Sequence, residues 1–108
     1  MYRVTTPTHT FTLPIQTSSC KEVQVTYKQN ATQITKHYQD EVMPSGMSFD
    51  GKKVIVRLTQ EETKAFNPRM SVFAQVRVLT TGNDAYASQM FSIRVNDVLN
   101  EEVLADGN

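Results

Sequence analysis

The chain has 108 residues, a length typical of one domain with its own hydrophobic core. Hydrophobic residues make up 39% and charged residues 20% of the sequence, a balance typical of folded proteins. Eleven basic residues balance eleven acidic ones, so no excess of positive charge favours nucleic acid, and no apolar run approaches the roughly 20 residues of a membrane span. The single cysteine, Cys20, excludes an internal disulfide and a zinc site of several cysteines.

The first third of the chain predicts an edge segment followed by a hairpin. Residues 2–13 alternate in parts between apolar and polar side chains, but Pro7 and Pro14 each remove a hydrogen-bond donor, so this stretch predicts edge pieces. After a polar loop, residues 23–27 alternate with the period of a half-buried strand. Residues 32–39 predict its antiparallel partner across a short turn.

The strongest local signal is the pair Asp50-Gly51 between two apolar stretches. A type I′ turn needs a positive φ at both central positions, which Asp-Gly adopts at low cost, so the pair predicts a two-residue hairpin. In the returning strand, we expect one face to carry three apolar side chains and the other to carry Ile55 and Arg57. The three apolar residues are Val54, Val56 and Leu58.

A short helix and two further strands complete the prediction. Residues 59–62, Thr-Gln-Glu-Glu, form a capping box, in which the first and last side chains each accept a free backbone N–H. Asn67-Pro68 ends this helix early, because a residue before proline avoids the helical conformation. Residues 70–80 predict the longest strand, and residues 91–95 predict its partner. In the longest strand, one face is expected to carry Val72, Ala74, Val76 and Val78. In its partner, the inward side chains are expected to be Phe91, Ile93 and Val95.

These elements predict an all-β fold. Seven to eight short strands with hairpin connections and one short helix favour an antiparallel β-sandwich, immunoglobulin-like, formed by residues 1–96. The Cys…Trp…Cys signature of true immunoglobulin domains is absent. A small closed barrel is the alternative. Residues 97–108 are expected to form an acidic C-terminal tail or an edge strand.

The C-terminal segment differs from the rest of the chain in charge. Residues 96–108 contain four acids and no base, a charge of −4, whereas the first 95 residues contain 11 bases and 7 acids, a charge of +4. The segment is interpreted either as a last edge strand or as an arm that docks onto a neighbouring subunit. The arm interpretation assigns contacts to Val98, Leu99, Glu101, Glu102, Val103 and Leu104, and to basic residues of the neighbour, Lys52, Lys53, Arg57 or Arg77.

No group of residues predicts catalysis, a metal site or a cofactor site. Cys20 lies in a predicted serine-rich loop and is expected to be an incidental thiol rather than a nucleophile. His9 and His37 are expected at solvated strand positions and lack the paired spacing of metal ligands. Basic residues could line a sheet face with Tyr27 or Phe73, but the neutral net charge favours a solvated face over nucleic-acid binding. We therefore expect no enzyme activity and no cofactor, nucleic-acid, membrane or small-molecule partner.

Four stretches carry a resemblance to a known group of proteins: YRVTTPTHTF at residues 2–11, TYKQ at 26–29, LTQEET at 58–63 and QVRVLT at 75–80. With them, the chain resembles small, mostly uncharacterised proteins encoded in the tail-gene clusters of phages and prophages of Gram-positive bacteria. The order of its elements is also similar to the N-terminal β-sandwich of baseplate upper proteins. The resemblance implies a virion structural protein, a tail or baseplate module that contacts other virion proteins or further copies of itself.

Localisation and two other functions complete the expectations. The first residues lack the apolar core of a secretory signal, so the protein is expected to be made in the host cytoplasm and to end in the virion. A small phage-encoded inhibitor of a host defence protein fits the short chain, although many such inhibitors are strongly acidic. A surface- or carbohydrate-binding module fits the sandwich, although the chain has no tryptophan to stack on a sugar.

Overall fold

The computed structural model describes residues 1–105 as two antiparallel β-sheets that face each other across one hydrophobic core. In chain order, the strands are β1 (Thr8–Thr12), β2 (Cys20–Gln29), β3 (Thr32–Gln39), β4 (Met47–Asp50), β5 (Lys53–Arg57), β6 (Ser71–Thr80), β7 (Ala85–Ala87) and β8 (Phe91–Arg94). A five-residue helix, α1 (Gln60–Lys64), and a 3-10 turn at Thr17–Ser19 complete the elements. The predicted all-β antiparallel sandwich is confirmed.

Each sheet contains one pair of neighbouring strands that lie far apart in the sequence: β1 with β5, and β2 with β6. The three-stranded sheet has the order β1-β5-β4, and the five-stranded sheet has the order β3-β2-β6. The free edge of β6 is shared by β7 and β8, which pair with different parts of that long strand. In the middle of the larger sheet, Val25 lies opposite Lys36 on β3 and Val76 on β6.

The core forms from the apolar side chains that alternation placed on the inner faces of the strands. The apolar side chains predicted to share one face of a strand are all buried in β5 and β6, and so are those of β2. These residues are Val54, Val56 and Leu58, then Val72, Ala74, Val76 and Val78, and Val23, Val25 and Tyr27. Phe11 of β1 contacts Tyr27 edge to face, with ring centroids 6.4 Å apart, and joins the two sheets. Phe91 also points towards Phe11, but it is 37% exposed because β8 lies at the edge of its sheet.

The capping box predicted at the start of α1 is confirmed. Thr59 Oγ1 accepts the Glu62 N–H at 3.1 Å, and Glu62 Oε1 accepts the Thr59 N–H at 2.9 Å. The other oxygen of Glu62, Oε2, lies 2.7 Å from Lys36 Nζ, so the helix is tied to the edge strand β3. Phe66, just past the helix, is buried in the core. None of the described helices is long and apolar enough to cross a membrane.

The hairpin between β4 and β5 has the predicted two-residue turn, but the turn is displaced by one residue. Asp50 pairs with Lys53, so Gly51 and Lys52 are the central residues. Only Gly51 has a positive φ, 61°, whereas the sequence predicted a positive φ at both Asp50 and Gly51. A single positive φ at the first central residue, with glycine in that position, is the pattern of a type II′ turn.

One further prediction is corrected, and one strand was missed. Cys20 does not lie in the preceding loop: it begins β2, opposite Thr80, and it is buried in the core. Strand β7 was not predicted, because its three residues, Ala-Tyr-Ala, are all exposed and carry no pattern of burial. Its place in the sheet comes from backbone pairing with β6.

Candidate protein–protein interface

The N-terminal segment places a charged side chain beneath the end of α1. Arg3 is only 9% exposed, and its Nε and Nη2 atoms donate to the carbonyl oxygens of Phe66 and Lys64 at 2.7 and 3.0 Å. Carbonyls at a helix C-terminus lack partners within the helix, so the guanidinium satisfies them and complements the helix dipole. The neighbouring Val4 has a φ of 56°, which is rare for a β-branched residue and marks a tightly constrained turn.

The third nitrogen of the Arg3 guanidinium binds the C-terminal tail. Nη1 lies 2.9 Å from Asp97 Oδ1 and also donates to the carboxylate of Glu101. The bond to Glu101 raises the pKa of Arg3, against the opposing effect of burial. The Val98 N–H and then the Arg3 guanidinium lower the pKa of Asp97. Arg3 therefore joins the two ends of the described chain by a charge-assisted contact.

A second contact fixes the tail further along. The side-chain amide of Gln60 donates to the Leu104 carbonyl oxygen at 3.0 Å and accepts the Leu104 N–H at 2.8 Å, as a neighbouring strand would. Gln60 is only 3% exposed, so this amide is held in one orientation. We call Arg3 and Gln60 the docking site, and residues 97–108 the tail. Residues 106–108 of the tail lie outside the described part of the chain.

The tail is held to the body by polar contacts of Asp97, Glu101 and the Leu104 backbone, and its two leucines are exposed. Leu99 is fully exposed, and Leu104 is largely exposed although its backbone is held by Gln60. Val98 and Val103 are half-buried, and Glu102 is exposed. No strand is present between residues 97 and 105, and the preceding Asn96 makes one isolated parallel bridge with Tyr2. The described part of the tail thus differs from the edge strand that was one of the two interpretations.

The four basic residues expected to receive the tail do not form one face. Lys53 and Arg57 point outward from the three-stranded sheet, and Lys52 lies in the turn next to them. Arg77 points outward from the other sheet, on the opposite side of the sandwich. Of the two aromatic residues considered for a basic and aromatic face, Tyr27 is buried between the sheets and Phe73 is exposed on the outer face of β6.

The outer face of the five-stranded sheet carries a concavity of about 450 Å³ with polar and apolar lining residues. His37, Gln24 and Arg77 form one row across β3, β2 and β6, and the exposed Tyr86 lies at its edge. His37 Nε2 lies 2.9 Å from Glu22 Oε1, so the imidazole is half-buried and hydrogen-bonded rather than simply solvated. The row is a flat hydrogen-bonding surface.

An apolar patch lies at the other end of the same face. Phe73 is 50% and Met90 is 67% exposed. With Lys28 and Gln75, they line a smaller concavity of about 320 Å³. Exposed apolar patches on a small domain are typical of contact surfaces. Alternation along β6 predicted Phe73 on the outer face, whereas nothing in the local pattern indicated Met90.

Two of the groups considered for chemistry lie away from the surface: Cys20 is buried in the core and His9 is partly buried beside it. The Cys20 sulfur lies 3.8 Å from the Gln16 carbonyl oxygen, and burial raises the pKa of its thiol, which disfavours the nucleophilic thiolate. His9 lies between the sheets against Tyr27 rather than in solvent, and burial lowers its pKa. Within residues 1–105, no three His, Cys, Asp or Glu residues are grouped as metal ligands.

Sequence reasoning missed both residues of the docking site. A signal for Arg3 was present, because it is the only Lys, Arg, Asp or Glu among the first 20 residues, which otherwise read as apolar and Thr-rich. A lone charge in such a stretch predicts a specific partner. Gln60 carried no signal of its own, since it reads only as an interior residue of the capping box.

Comparison with protein-family models, with curated proteins and with solved structures gives no match to this chain.

Proposed function

We propose that the protein is a structural module of a phage virion, in the tail or baseplate, that acts through protein–protein contacts made by its C-terminal tail. It is made in the host cytoplasm and carried in the particle. The virion part of the proposal rests on the sequence resemblance. The contact function rests on the geometry of the tail.

The observation that carries the contact function is the orientation of the tail. Its polar groups are bound by Arg3 and Gln60, and its two leucines, Leu99 and Leu104, project away from the body. Water-exposed leucines are stabilised by burial, each by about 1.5–3 kcal/mol when fully buried. A tail held in this way presents two apolar side chains at a defined place on the surface, as a subunit contact requires.

The first experiment replaces both leucines by serine and measures mass by light scattering over a range of protein concentrations. We expect the unaltered chain to associate and the Leu99→Ser/Leu104→Ser variant to stay monomeric with an unchanged melting temperature. The control is Val42→Ser, which removes an apolar side chain about as exposed as Leu104 from the loop before β4 and should associate normally.

Two further results test the proposal. A chain that stays monomeric at every concentration, alone and with purified virion proteins, would favour the inhibitor of a host protein instead. Mass spectrometry of purified particles from the strain that carries the gene should detect the protein in a fixed ratio to known tail proteins. Its absence from particles would contradict the virion assignment but not the contact function.

A further inference from the structure

We propose that the tail is exchanged between two copies of the chain, so that the docking site of each copy binds residues 101–105 of the other. The inference rests on the proposed function and names its partner, a second copy. Each Arg3 would hold Asp97 of its own chain and Glu101 of the partner. Each Gln60 would hold the Leu104 backbone of the partner.

The first argument is that the contacts of the docking site do not depend on which chain supplies the tail. Arg3 binds a carboxylate, and Gln60 binds one backbone N–H and one carbonyl. Both groups belong to the body, and with the tail bound Arg3 is 9% and Gln60 is 3% exposed. An identical tail from a second copy therefore makes the same bonds, which is the condition for exchanging an element between protomers.

The second argument locates the hinge. Asn96 is fixed, because its N–H donates to the Met1 carbonyl at 2.8 Å and its carbonyl accepts the Arg3 N–H at 2.9 Å. Asp97 must therefore stay beside its own Arg3. Residues 98–100 have no hydrogen bond to the described body: the Val98 N–H is bound by the adjacent Asp97 side chain. These three residues can change direction without breaking a hydrogen bond to the described body.

The third argument concerns the apolar surface that the exchange buries. The closed and exchanged forms share the same polar contacts, so only newly buried surface can favour the dimer. In the exchanged form, the four residues 98–101 connect Asp97 at one docking site to the other docking site, and they span about 13 Å when extended. The two docking sites must therefore lie close together. The fully exposed Leu99 of each copy then lies near the two-fold axis, where the two side chains can bury each other. The closed form leaves this leucine without a contact.

The exchange should depend on protein concentration. Within one chain, the short hinge gives the tail an effective concentration on the order of millimolar at its own docking site. Dilute protein is therefore expected to be closed. Packing many copies into an assembly raises the local concentration and favours the exchanged form.

The decisive experiment detects the origin of the tail directly. Full-length chains labelled with 15N are mixed with full-length chains labelled with 13C at a concentration where the protein is dimeric, and the mixture is unfolded and refolded together. We expect an intermolecular NOE between the Gln60 side-chain amide and Leu104. A dimer in which this NOE is only intramolecular overturns the exchange and leaves the proposed contact function standing. The absence of any dimer overturns the exchange, and the contact function is then tested by binding to purified virion proteins.

A pair of charge variants tests the role of Arg3 without altering the buried docking site. Glu101→Lys places a cation beside Arg3 and should release the tail from the docking site in the closed and the exchanged form alike, so that an open monomer replaces the closed one and dimerisation weakens by about tenfold or more. Glu102→Lys makes the same change of charge one residue away, where the carboxylate has no ion pair with the described residues, and should dimerise normally. Equal weakening by both variants would overturn the specific recognition of residue 101.

A cross-link tests the position of the hinge. In a Cys20→Ser background, Leu99→Cys should form a covalent dimer on mild oxidation, because the two introduced thiols meet near the axis. Val42→Cys in the same background is the control at an exposed site on the body and should remain monomeric. A dimer that cross-links no faster through Leu99→Cys than through Val42→Cys would overturn the arrangement.

Discussion

His9 Nδ1 and Tyr27 Oη lie 2.8 Å apart and form a hydrogen bond between the two sheets of the sandwich. Tyr27 is fully buried, and its ring centroid is 5.5 Å from that of His9. Burial lowers the pKa of His9, and the N-terminal ammonium lowers it further. Burial, with a smaller contribution from Glu62, raises the pKa of Tyr27. Both side chains are thus held in their neutral forms.

The stability of the protein should fall in mild acid because of His9. Below a pH of about 6.5 the unfolded chain takes up a proton at His9 that the folded chain resists, so the free energy of unfolding decreases as the pH falls through that value. Above it, the contribution of His9 is constant. Urea unfolding between pH 5 and 8 measures the slope, which His9→Gln should reduce. Equal slopes in His9→Gln and the unaltered chain would contradict the assignment.

Two glycines with positive φ should differ in their tolerance of a side chain. A Cβ on Gly46, at φ 82°, would lie 2.5 Å from the Arg57 carbonyl oxygen, whereas a Cβ on Gly51, at φ 61°, meets nothing closer than 3.8 Å. Gly51→Ala therefore costs only the left-handed backbone, about 1 kcal/mol. Gly46→Ala adds a clash with backbone and should cost about 3 kcal/mol. Thermal or urea unfolding of the pair measures the difference, and equal losses would contradict it.

The helix cap can be tested at Thr59. Thr59→Ala removes the acceptor for the Glu62 N–H and should lower the free energy of unfolding by about 1 kcal/mol. Thr59→Ser keeps the hydroxyl and is the matched control, with an expected loss of a few tenths of a kcal/mol, roughly the spread among good caps. Urea unfolding of both variants measures the contribution. A Thr59→Ser variant as unstable as Thr59→Ala would show that the hydroxyl is not the important group.

Cys20 should be unreactive in the folded protein but should matter for stability. Its burial and raised pKa predict that a thiol reagent such as DTNB modifies it only as the chain unfolds. Cys20→Ser places a hydroxyl in the core and should cost about 1–2 kcal/mol, without changing association. Rapid modification of the native protein would contradict this placement. The expectation from the sequence alone, a loop residue of little consequence, is replaced by this one.

Much of the sandwich could be predicted because the relevant signals are local. The alternation in β2, β5 and β6 directly reflects the period of a strand with one buried face, and the capping box at Thr59 involves residues three apart. Each of these patterns is determined by a few neighbouring residues. The corresponding predictions of burial are correct for nearly every side chain.

The features that sequence reasoning missed depend on distant partners. Cys20 follows a polar stretch that indicates a loop, yet its strand is set by pairing with Thr80, which is 60 positions away. Arg3 and Asp97 are 94 positions apart, and all the strands of the sandwich lie between them in the chain. The docking site therefore could not be derived from periodicity, composition or spacing, because no local pattern encodes which ends of the chain meet.

The order of strands in the two sheets also has a consequence for how the chain folds. The β2–β3 and β4–β5 hairpins join neighbouring segments, but the β1–β5 and β2–β6 pairings close long loops. Closing such loops costs entropy before any contact compensates it, so folding is expected within milliseconds to seconds rather than microseconds. The hairpins should form first, the sheets should join next, and the bonds of Arg3 and Gln60 to the C-terminal segment should form last. A newly made subunit would then fold its two sheets before its tail binds Arg3 and Gln60. During that interval, a neighbouring copy can bind the tail instead.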